Sequence, residues 1–247
     1  MALKGGFVDL SIIIPSFNES SNVETLSRKI MAVLSGLDIS YEILFIDDSR
    51  DDTPVLLARL AQEFSQVRYV HRENNRGLGT AVVEGFLRSL ADFMIVMDAD
   101  LQHPPELLPE IFKQLKTYDI VIPSRFIQGG DAGGLNVVRK FISWSARCLG
   151  RLLIKRLRDV SDCTGGYFGL RRSVIEGAPL DPIGWKILIE VLVKGQYASI
   201  CELPYAFHAR DAGDSKMGLK EQWNYLRHIV RLMGYKGRDQ KVRVVRL

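Results

Sequence analysis

The sequence predicts an α/β fold, a three-layer α/β/α sandwich around a mostly parallel sheet, on two observations. Apolar runs recur at Leu10 to Ile14, Tyr41 to Ile46, Val67 to His71, Phe93 to Met97 and Ile120 to Ile122, and their starts lie roughly 26 to 31 residues apart, the span of one strand-helix unit. The segments between the runs carry helical periodicity. Sheets of this kind bind ligands beyond the carboxyl ends of their strands, so the residues that follow each run matter most.

In order, the first run leads into Pro15-Ser16-Phe17-Asn18-Glu19, and Ser21-x-x-Glu24 reads as a capping box ahead of Leu26, Ile30, Val33 and Leu34. The second run ends in Asp47-Asp48-Ser49-Arg50-Asp51-Asp52-Thr53. There Thr53-Pro54 reads as a cap followed by proline at the first helical position, and Asp51 and Asp52 suit the positive end of that helix. Asp47 and Asp48 directly follow an apolar strand and are candidates for contact with a base or ribose. After the third run, Asn75-Arg76-Gly77-Leu78-Gly79-Thr80 opens a helix without forming a dinucleotide fingerprint: Val82 holds the third glycine position, and the fingerprint belongs after the first strand. Close packing of a helix on the sheet is the use these glycines suggest, with backbone approach to a phosphate as the alternative.

The fourth run delivers the chemistry. Phe93 to Met97 has the composition of a strand covered on both faces, and Asp98-Ala99-Asp100-Leu101-Gln102-His103-Pro104-Pro105 follows it. If extension persists through Ala99, Asp98 and Asp100 share a side. Two like charges there repel unless a cation neutralises them, so the pair reads as a divalent metal site, with Gln102 and His103 near enough to add a ligand or a contact. Oxygen donors suit Mg2+ or Mn2+, ions that keep waters and recruit substrate phosphate oxygens.

Composition sets the outer limits. A chain of 247 residues with 47% hydrophobic content is long enough for one large, soluble domain with a substantial core. No run of about 18 apolar residues occurs, so no transmembrane helix is expected, and the opening Met-Ala-Leu-Lys-Gly-Gly lacks the apolar core of a secretory signal. Cys148, Cys163 and Cys201 follow neither disulfide nor zinc spacing, which fits a reducing cytoplasm. The formal net charge of +4 is modest and no nucleic-acid partner is expected.

The Pro15-to-Glu19 opening, the acidic loop and Asp98-Ala99-Asp100 with Gln102-His103-Pro104-Pro105 together resemble the family 2 glycosyltransferases of GT-A fold. The closest likeness is to the branch of dolichyl-phosphate mannosyltransferases and bacterial polyprenyl-phosphate glycosyltransferases. It runs from Leu10 to about Lys216, with the motifs in the family's order. The resemblance implies a Rossmann-like GT-A domain over residues 1–217, with a nucleotide-sugar half to about residue 125 and an acceptor half over 126–217, then a C-terminal amphipathic helix and basic tail over 218–247. By position, Pro15, Phe17, Glu19, Ile46 and Asp48 match the family's nucleotide-contacting residues, with Asp47 beside them. Asp98, Ala99, Asp100 and Gln102 match its metal and diphosphate residues. Phe17 stands where tyrosine is frequent, and the acidic loop is one residue shorter than the commoner form.

In the second half, Ser124-Arg125 closes the fifth run, and Gln128 to Gly134 reads as a loop able to close over a ligand. From Asn136 to Arg158, Val137, Phe141, Trp144, Cys148, Leu152 and Leu153 recur at helical spacing, while Arg139, Lys140, Arg147, Arg151, Lys155, Arg156 and Arg158 stand between them without an acid. That pattern suits a helix lying on anionic lipid, and equally a core-facing helix with a solvated basic face. Leu219, Trp223, Leu226, Val230 and Met233 make a second amphipathic helix, and Tyr235 to Leu247 adds five basic residues against one acid. The resemblance puts Arg125 and Arg139 on the acceptor side, with Ser143 on the same helix face as Arg139. It makes Arg210 and Lys216 the cations of an Arg-x5-Lys loop that grips the donor diphosphate. Asp162, in Asp162-Cys163-Thr164-Gly165-Gly166-Tyr167-Phe168, reads as a turn residue or as a group that orients the acceptor site, and Glu190 as a solvated acid or a support for a neighbour.

The resemblance therefore implies inverting, metal-dependent transfer of a hexose from a GDP- or UDP-sugar to a polyprenyl or dolichyl phosphate, with Asp100, Arg125 and Arg139 as catalytic residues. A phosphate monoester has its second pKa at about 6, so at neutral pH it is already nucleophilic and needs cations to position it more than a base. The cationic helices imply peripheral attachment to the cytoplasmic face of an anionic membrane, with a separate membrane-embedded subunit as a further partner. A family 2 enzyme acting on a sugar hydroxyl would need a carboxylate base where this chain offers arginines. A non-catalytic nucleotide-sugar-binding subunit would have no use for both the Asp98-Ala99-Asp100 and the Arg210-x5-Lys216 motifs.

Overall fold

The computed structural model describes residues 8–73, 77–131, 133, 137–207, 219–235 and 241–247, with the side chains of 137–143, 146, 219 and 220 outside the description. Among the described residues the strands are β1 (Val8–Ser16), β2 (Tyr41–Asp47), β3 (Val67–His71), β4 (Ala91–Val96), β5 (Ile120–Ser124), β6 (Phe168–Arg171), β7 (Ser199–Pro204) and β8 (Arg243–Arg246). They form one sheet of order β3-β2-β1-β4-β6-β5-β7-β8. Strand β6 runs antiparallel to β4 and β5, and the other pairings are parallel. The helices are α1 (Val23–Leu34), α2 (Thr53–Glu63), α3 (Leu78–Arg88), α4 (Leu108–Leu115), α5 (Val137–Leu153), α6 (Arg172–Ile175), α7 (Ile187–Lys194) and α8 (Leu219–Met233). The expected mostly parallel α/β sheet is therefore present, with all five strands read from the apolar runs.

The two-residue period of the strands sorts the core into two layers. Leu10, Ile12, Ile14, Ile43, Phe45, Ile95 and Val121 point to one face and meet Leu26, Ile30, Leu57, Leu60, Ile111 and Leu115 of α1, α2 and α4. Ile13, Met94, Val96, Ile120 and Ile122 point to the other and meet Val82 and Phe86 of α3, Leu188 and Leu192 of α7, and Ile229 and Leu232 of α8. Each such fully buried aliphatic side chain contributes about 1.5–3 kcal/mol relative to exposure. Runs that are apolar at every position are what a strand covered on both faces requires.

Several local expectations are corrected. Helix α1 is entered from Asn22, with no side-chain cap, so the Ser21-x-x-Glu24 capping box does not form. Helix α2 already includes Thr53, with Asp52 at the cap position and Pro54 in the first turn. Gly79 does pack closely, but against the loop before α7: its N–H donates to the Gly184 carbonyl at 3.1 Å, and a Cβ there would come within 2.5 Å of that oxygen. The basic tail ends in β8, where Arg246 pairs with the fully buried Glu202 (Nε to Oε2, 2.9 Å). In α8 the stripe Trp223, Leu226, Val230 and Met233 faces outward, while Tyr225, His228, Ile229 and Leu232 form the buried face.

Candidate active site

The loops after β1 and β2 are stitched to each other at the carboxyl rim. Asn18, at φ 55°, donates its backbone N–H to Ser49 Oγ at 2.7 Å, and its Oδ1 accepts the Arg50 N–H at 2.9 Å. The Glu19 N–H reaches Thr53 Oγ1 at 3.0 Å. Asp47 is fully buried and spent inward: its Oδ1 accepts from the Ser16 and Ser49 hydroxyls at 2.8 and 2.5 Å, and its Oδ2 lies 2.7 Å from His71 Nδ1. These bonds make Asp47 an anchor of the loop. Asp48 is gripped by Arg72 through two 2.7 Å bonds, Nε to Oδ1 and Nη2 to Oδ2, and accepts the Gly77 N–H at 2.8 Å. Asp51 does what a helix-start acid does. Burial opposes its charge, but hydrogen bonds from Thr53 and Ser20 hold its carboxyl below the usual range. Pro15, Ile46 and Ala99 are buried, whereas Phe17 is exposed and Glu19 partly so.

Strand β4 gives out at Val96, two residues before Asp98, so the acids stand on a turn instead of an extended strand. Leu101 holds φ at 62°, a left-handed conformation that costs a bulky side chain on the order of 1 kcal/mol. The turn it makes brings the Gln102 N–H back to Asp100 Oδ1 at 3.2 Å. His103 is buried and stacked on Tyr167, ring centroids 5.0 Å apart. Its Nδ1 accepts the Asp98 backbone N–H at 3.0 Å, which places the ring proton of the neutral form on Nε2, 3.8 Å from Asp98 Oδ2. His103 thus positions Asp98. The Asp98 side chain is 34% exposed. Gly166 lies against it, and a Cβ at that position would sit 3.0 Å from Asp98 Oδ2.

Opposite these acids, Arg125 at the end of β5 meets Asp162. Nε donates to Oδ2 at 2.7 Å and Nη2 to Oδ1 at 2.9 Å, with the Arg125 backbone N–H adding a longer 3.4 Å contact to Oδ2. Phe126 and Phe207 lie 5.3 and 5.4 Å from the guanidinium carbon. Burial works against the cation, yet the charge and hydrogen bonds of Asp162 together outweigh it and hold Arg125 above its ordinary value. Asp162 thus stands in a turn and at the same time holds the Arg125 guanidinium through its carboxylate. The Tyr205 phenol, pushed up by burial, also senses the charges of Arg125, Asp162, Asp98 and Asp100, so both sides share one space.

Sequence reasoning missed Lys186, which donates to the Thr164 carbonyl at 3.1 Å and lies within reach of the charges of Arg125, Asp162 and Asp98. Burial and then the Arg125 cation push its ammonium down to about 8. No motif marks it; a cation just before an almost wholly apolar helix was the available signal. The Cys163 thiol, raised to about 12 by burial and by Asp162, is no nucleophile. Glu190 is fully buried, not solvated, and binds His228, Lys194 and the Asp181 N–H. At the loop that begins with Gln128, Asp131 bridges Ala206 and exchanges hydrogen bonds with Tyr205 and Phe207, so that end is anchored. Arg210 and Lys216, and the side chains of Arg139 and Ser143, lie outside the described residues.

Among the described residues no group of three or more His, Cys, Asp or Glu side chains is arranged to hold a metal. Two carboxylates fit a hard ion that fills its remaining positions with water and phosphate oxygens, and the side-chain-free space at Gly166 leaves the Asp98 oxygens accessible to one.

Residues 11–177 match the glycosyl transferase family 2 model. The chain is 42% identical over 237 residues to a dolichol-phosphate mannosyltransferase of Pyrococcus furiosus, covering 94% of this chain and 66% of that protein, just under two thirds of its length. A Saccharomyces cerevisiae dolichol-phosphate mannosyltransferase is 32% identical over 240 residues (93% of this chain, 88% of that protein). An undecaprenyl-phosphate mannosyltransferase of Micrococcus luteus is 33% identical over 215 residues (83% and 86%). Among solved structures, glucosyl-3-phosphoglycerate synthase from Mycobacterium tuberculosis, in complex with Mn2+, UDP and glucosyl-3-phosphoglycerate, shares the fold with a TM-score of 0.64 at 19% identity, covering 92% of this chain and 78% of that one.

Proposed function

We propose that this chain, which belongs to glycosyl transferase family 2, transfers one hexose from a nucleoside diphosphate sugar to a polyprenyl phosphate of the dolichyl or undecaprenyl kind. The observation that carries the reading is the Arg125–Asp162 pair facing the Asp98 and Asp100 turn. It furnishes an ordered guanidinium and leaves acids nearby committed: Asp162 to Arg125, Glu202 to Ser161 and Arg246, Glu190 to His228. A sugar hydroxyl would need one of them as a base; a phosphate dianion does not.

In the reaction an acceptor phosphate oxygen bonds to the anomeric carbon as the bond from that carbon to the donor diphosphate breaks. The electron pair leaves with the nucleoside diphosphate, and the dianionic acceptor has no proton to surrender. Asp98, Asp100 and the Gln102 amide would hold a divalent ion, Mg2+ or Mn2+, whose charge neutralises the leaving diphosphate. His103 fixes the Asp98 backbone, and Asp162 fixes the Arg125 fork toward the acceptor. Arg139, Ser143, Arg210 and Lys216 take the acceptor and diphosphate roles that the family likeness gives them. Phe17 and Glu19 face the nucleotide, with Asp48 reaching it through the loop it ties to Arg72.

The acceptor's long tail suits a membrane surface. No described helix is long and apolar enough to cross a membrane. Trp144 and Leu152 of α5, and Trp223 and Val230 of α8, are exposed beside basic residues, which supports peripheral attachment to the cytoplasmic face of an anionic bilayer. The chain should sediment with anionic vesicles at low salt and be released at high salt.

The decisive experiment supplies purified protein with GDP-mannose or UDP-glucose, Mn2+ and a short polyprenyl phosphate, and follows lipid-linked sugar by mass spectrometry. Multiple turnovers support the reading. Transfer to sugar hydroxyls with none to the lipid phosphate would overturn it.

A further inference from the structure

We propose that Lys186 is an acceptor-binding residue, its ammonium receiving the phosphate monoester that becomes glycosylated. The proposal rests on the acceptor class assigned above and adds a contact that no motif pointed to.

Charge accounting leads to it. Arg125 is the obvious cation of this wall, yet Asp162 answers it with two parallel bonds, and both side chains are nearly closed to solvent, at 8% and 0% exposure. The pair is close to neutral. Lys186 lies within reach of the same charges, but among the described residues its Nζ has one hydrogen-bond acceptor, the Thr164 carbonyl, and no carboxylate within ion-pair distance. The Trp185 ring lies 4.5 Å from Nζ. An ammonium has three donors, so at least one is unspent.

Lys186 is half-buried, and taking a cation even partly out of water without a counter-ion is costly unless a ligand completes the arrangement. The lowered affinity of Lys186 for its proton reflects the same deficit. The contacting segment shows a second one: Thr164 keeps its hydroxyl buried with no hydrogen-bond partner. A dianion entering beside Asp98 meets its repulsion, and Lys186 is a described cation at this wall that no carboxylate answers. Of the groups within its reach, Arg125, Asp162 and Thr164 belong to the acceptor wall and Asp98 to the donor side. The family likeness meanwhile assigns the donor diphosphate to the Asp98 and Asp100 turn with Arg210 and Lys216. A compact, three-donor ammonium on a flexible stem suits one apex of a tetrahedral phosphate.

The test compares K186M and K186R with wild type, using farnesyl phosphate as acceptor. Steady-state kinetics give KM for acceptor and donor separately, and calorimetry gives the Kd of farnesyl phosphate without donor. A charge-assisted hydrogen bond to phosphate corresponds to on the order of tenfold or more in affinity. K186M should therefore raise the acceptor KM and Kd about tenfold or more, leave the donor KM within about twofold, and be partly rescued by K186R. A role confined to packing would not split the two substrates. An unchanged acceptor KM, or a rise in the donor KM alone, overturns the proposal. Wild-type protein inert toward farnesyl phosphate would overturn the acceptor class as well, so the two failures are told apart. If K186M does not fold, K186Q is judged by the same criteria.

Discussion

Arg125 and Asp162 come from the two ends of the segment that joins β5 to β6 and lie against each other through parallel bonds of 2.7 and 2.9 Å. Each side chain is held by the other. Replacing Asp162 by Ala leaves a buried guanidinium without its partner, a change that typically costs about 3–5 kcal/mol. Chemical denaturation should show that loss, and activity should fall with it. An R125A protein that matched wild type in both measurements would deny the pair any importance.

Gly166 offers a change aimed at the acids alone. Adding a methyl there puts Cβ 3.0 and 3.3 Å from the two Asp98 oxygens and 3.4 Å from His103 Cε1, so the carboxylate must move by a few tenths of an ångström. G166A should lower turnover by roughly tenfold or more, because such small displacements are amplified at a reacting centre, while the melting temperature stays near wild type. A large loss of stability with normal turnover per folded molecule would contradict this.

Chelation tests the ion directly. EDTA should abolish transfer, and Mg2+ or Mn2+ should restore it. D100A should lose at least about a hundredfold in kcat with its fold intact, since the charge on the departing diphosphate would go unanswered. Full activity in EDTA would dismiss a metal role for Asp98 and Asp100.

The Glu190 site predicts an acid-sensitive attachment of α8. Burial opposes the Glu190 charge, but hydrogen bonds from His228, Lys194 and the Asp181 N–H pull its pKa from 4.5 to about 2. The folded value is the lower one, so the stabilisation is complete above 4.5 and is withdrawn as pH falls from there through about 2. Trp223, on α8, supplies a fluorescence signal for the change. E190Q, with no carboxylate to protonate, should lose that acid-side step and be less stable at neutral pH.

The first half was legible because its strands are buried on both faces, so each appears as an unbroken apolar run such as Ile12-Ile13-Ile14, separated by amphipathic helices. The later strands hide. Phe168-Gly-Leu-Arg171 is four residues long with a glycine inside, and Arg243-Val-Val-Arg246 looks like part of a charged tail until Glu202 is seen beneath it. Asp98 and Asp100 could be picked out by their position after a strand. For Asp47, position alone does not reveal that Ser16, Ser49 and His71 converge on it. Lys186 was out of reach for a related reason: its meaning depends on Asp162 having already answered Arg125, a relation between residues 37 apart in the chain.

The reversed strand β6 also limits how this chain can be divided. Phe168 pairs with Val96, so β6 begins where β4 finishes, and the segment from Asp162 to Gly166 is thereby delivered to the rim that holds Asp98. A polypeptide cut ahead of that segment would have to thread a middle strand between two already seated neighbours, an insertion, whereas halves joined at an edge need only touch. Fragment complementation across such a cut should be poor, and inheritance of donor and acceptor recognition as exchangeable modules correspondingly difficult.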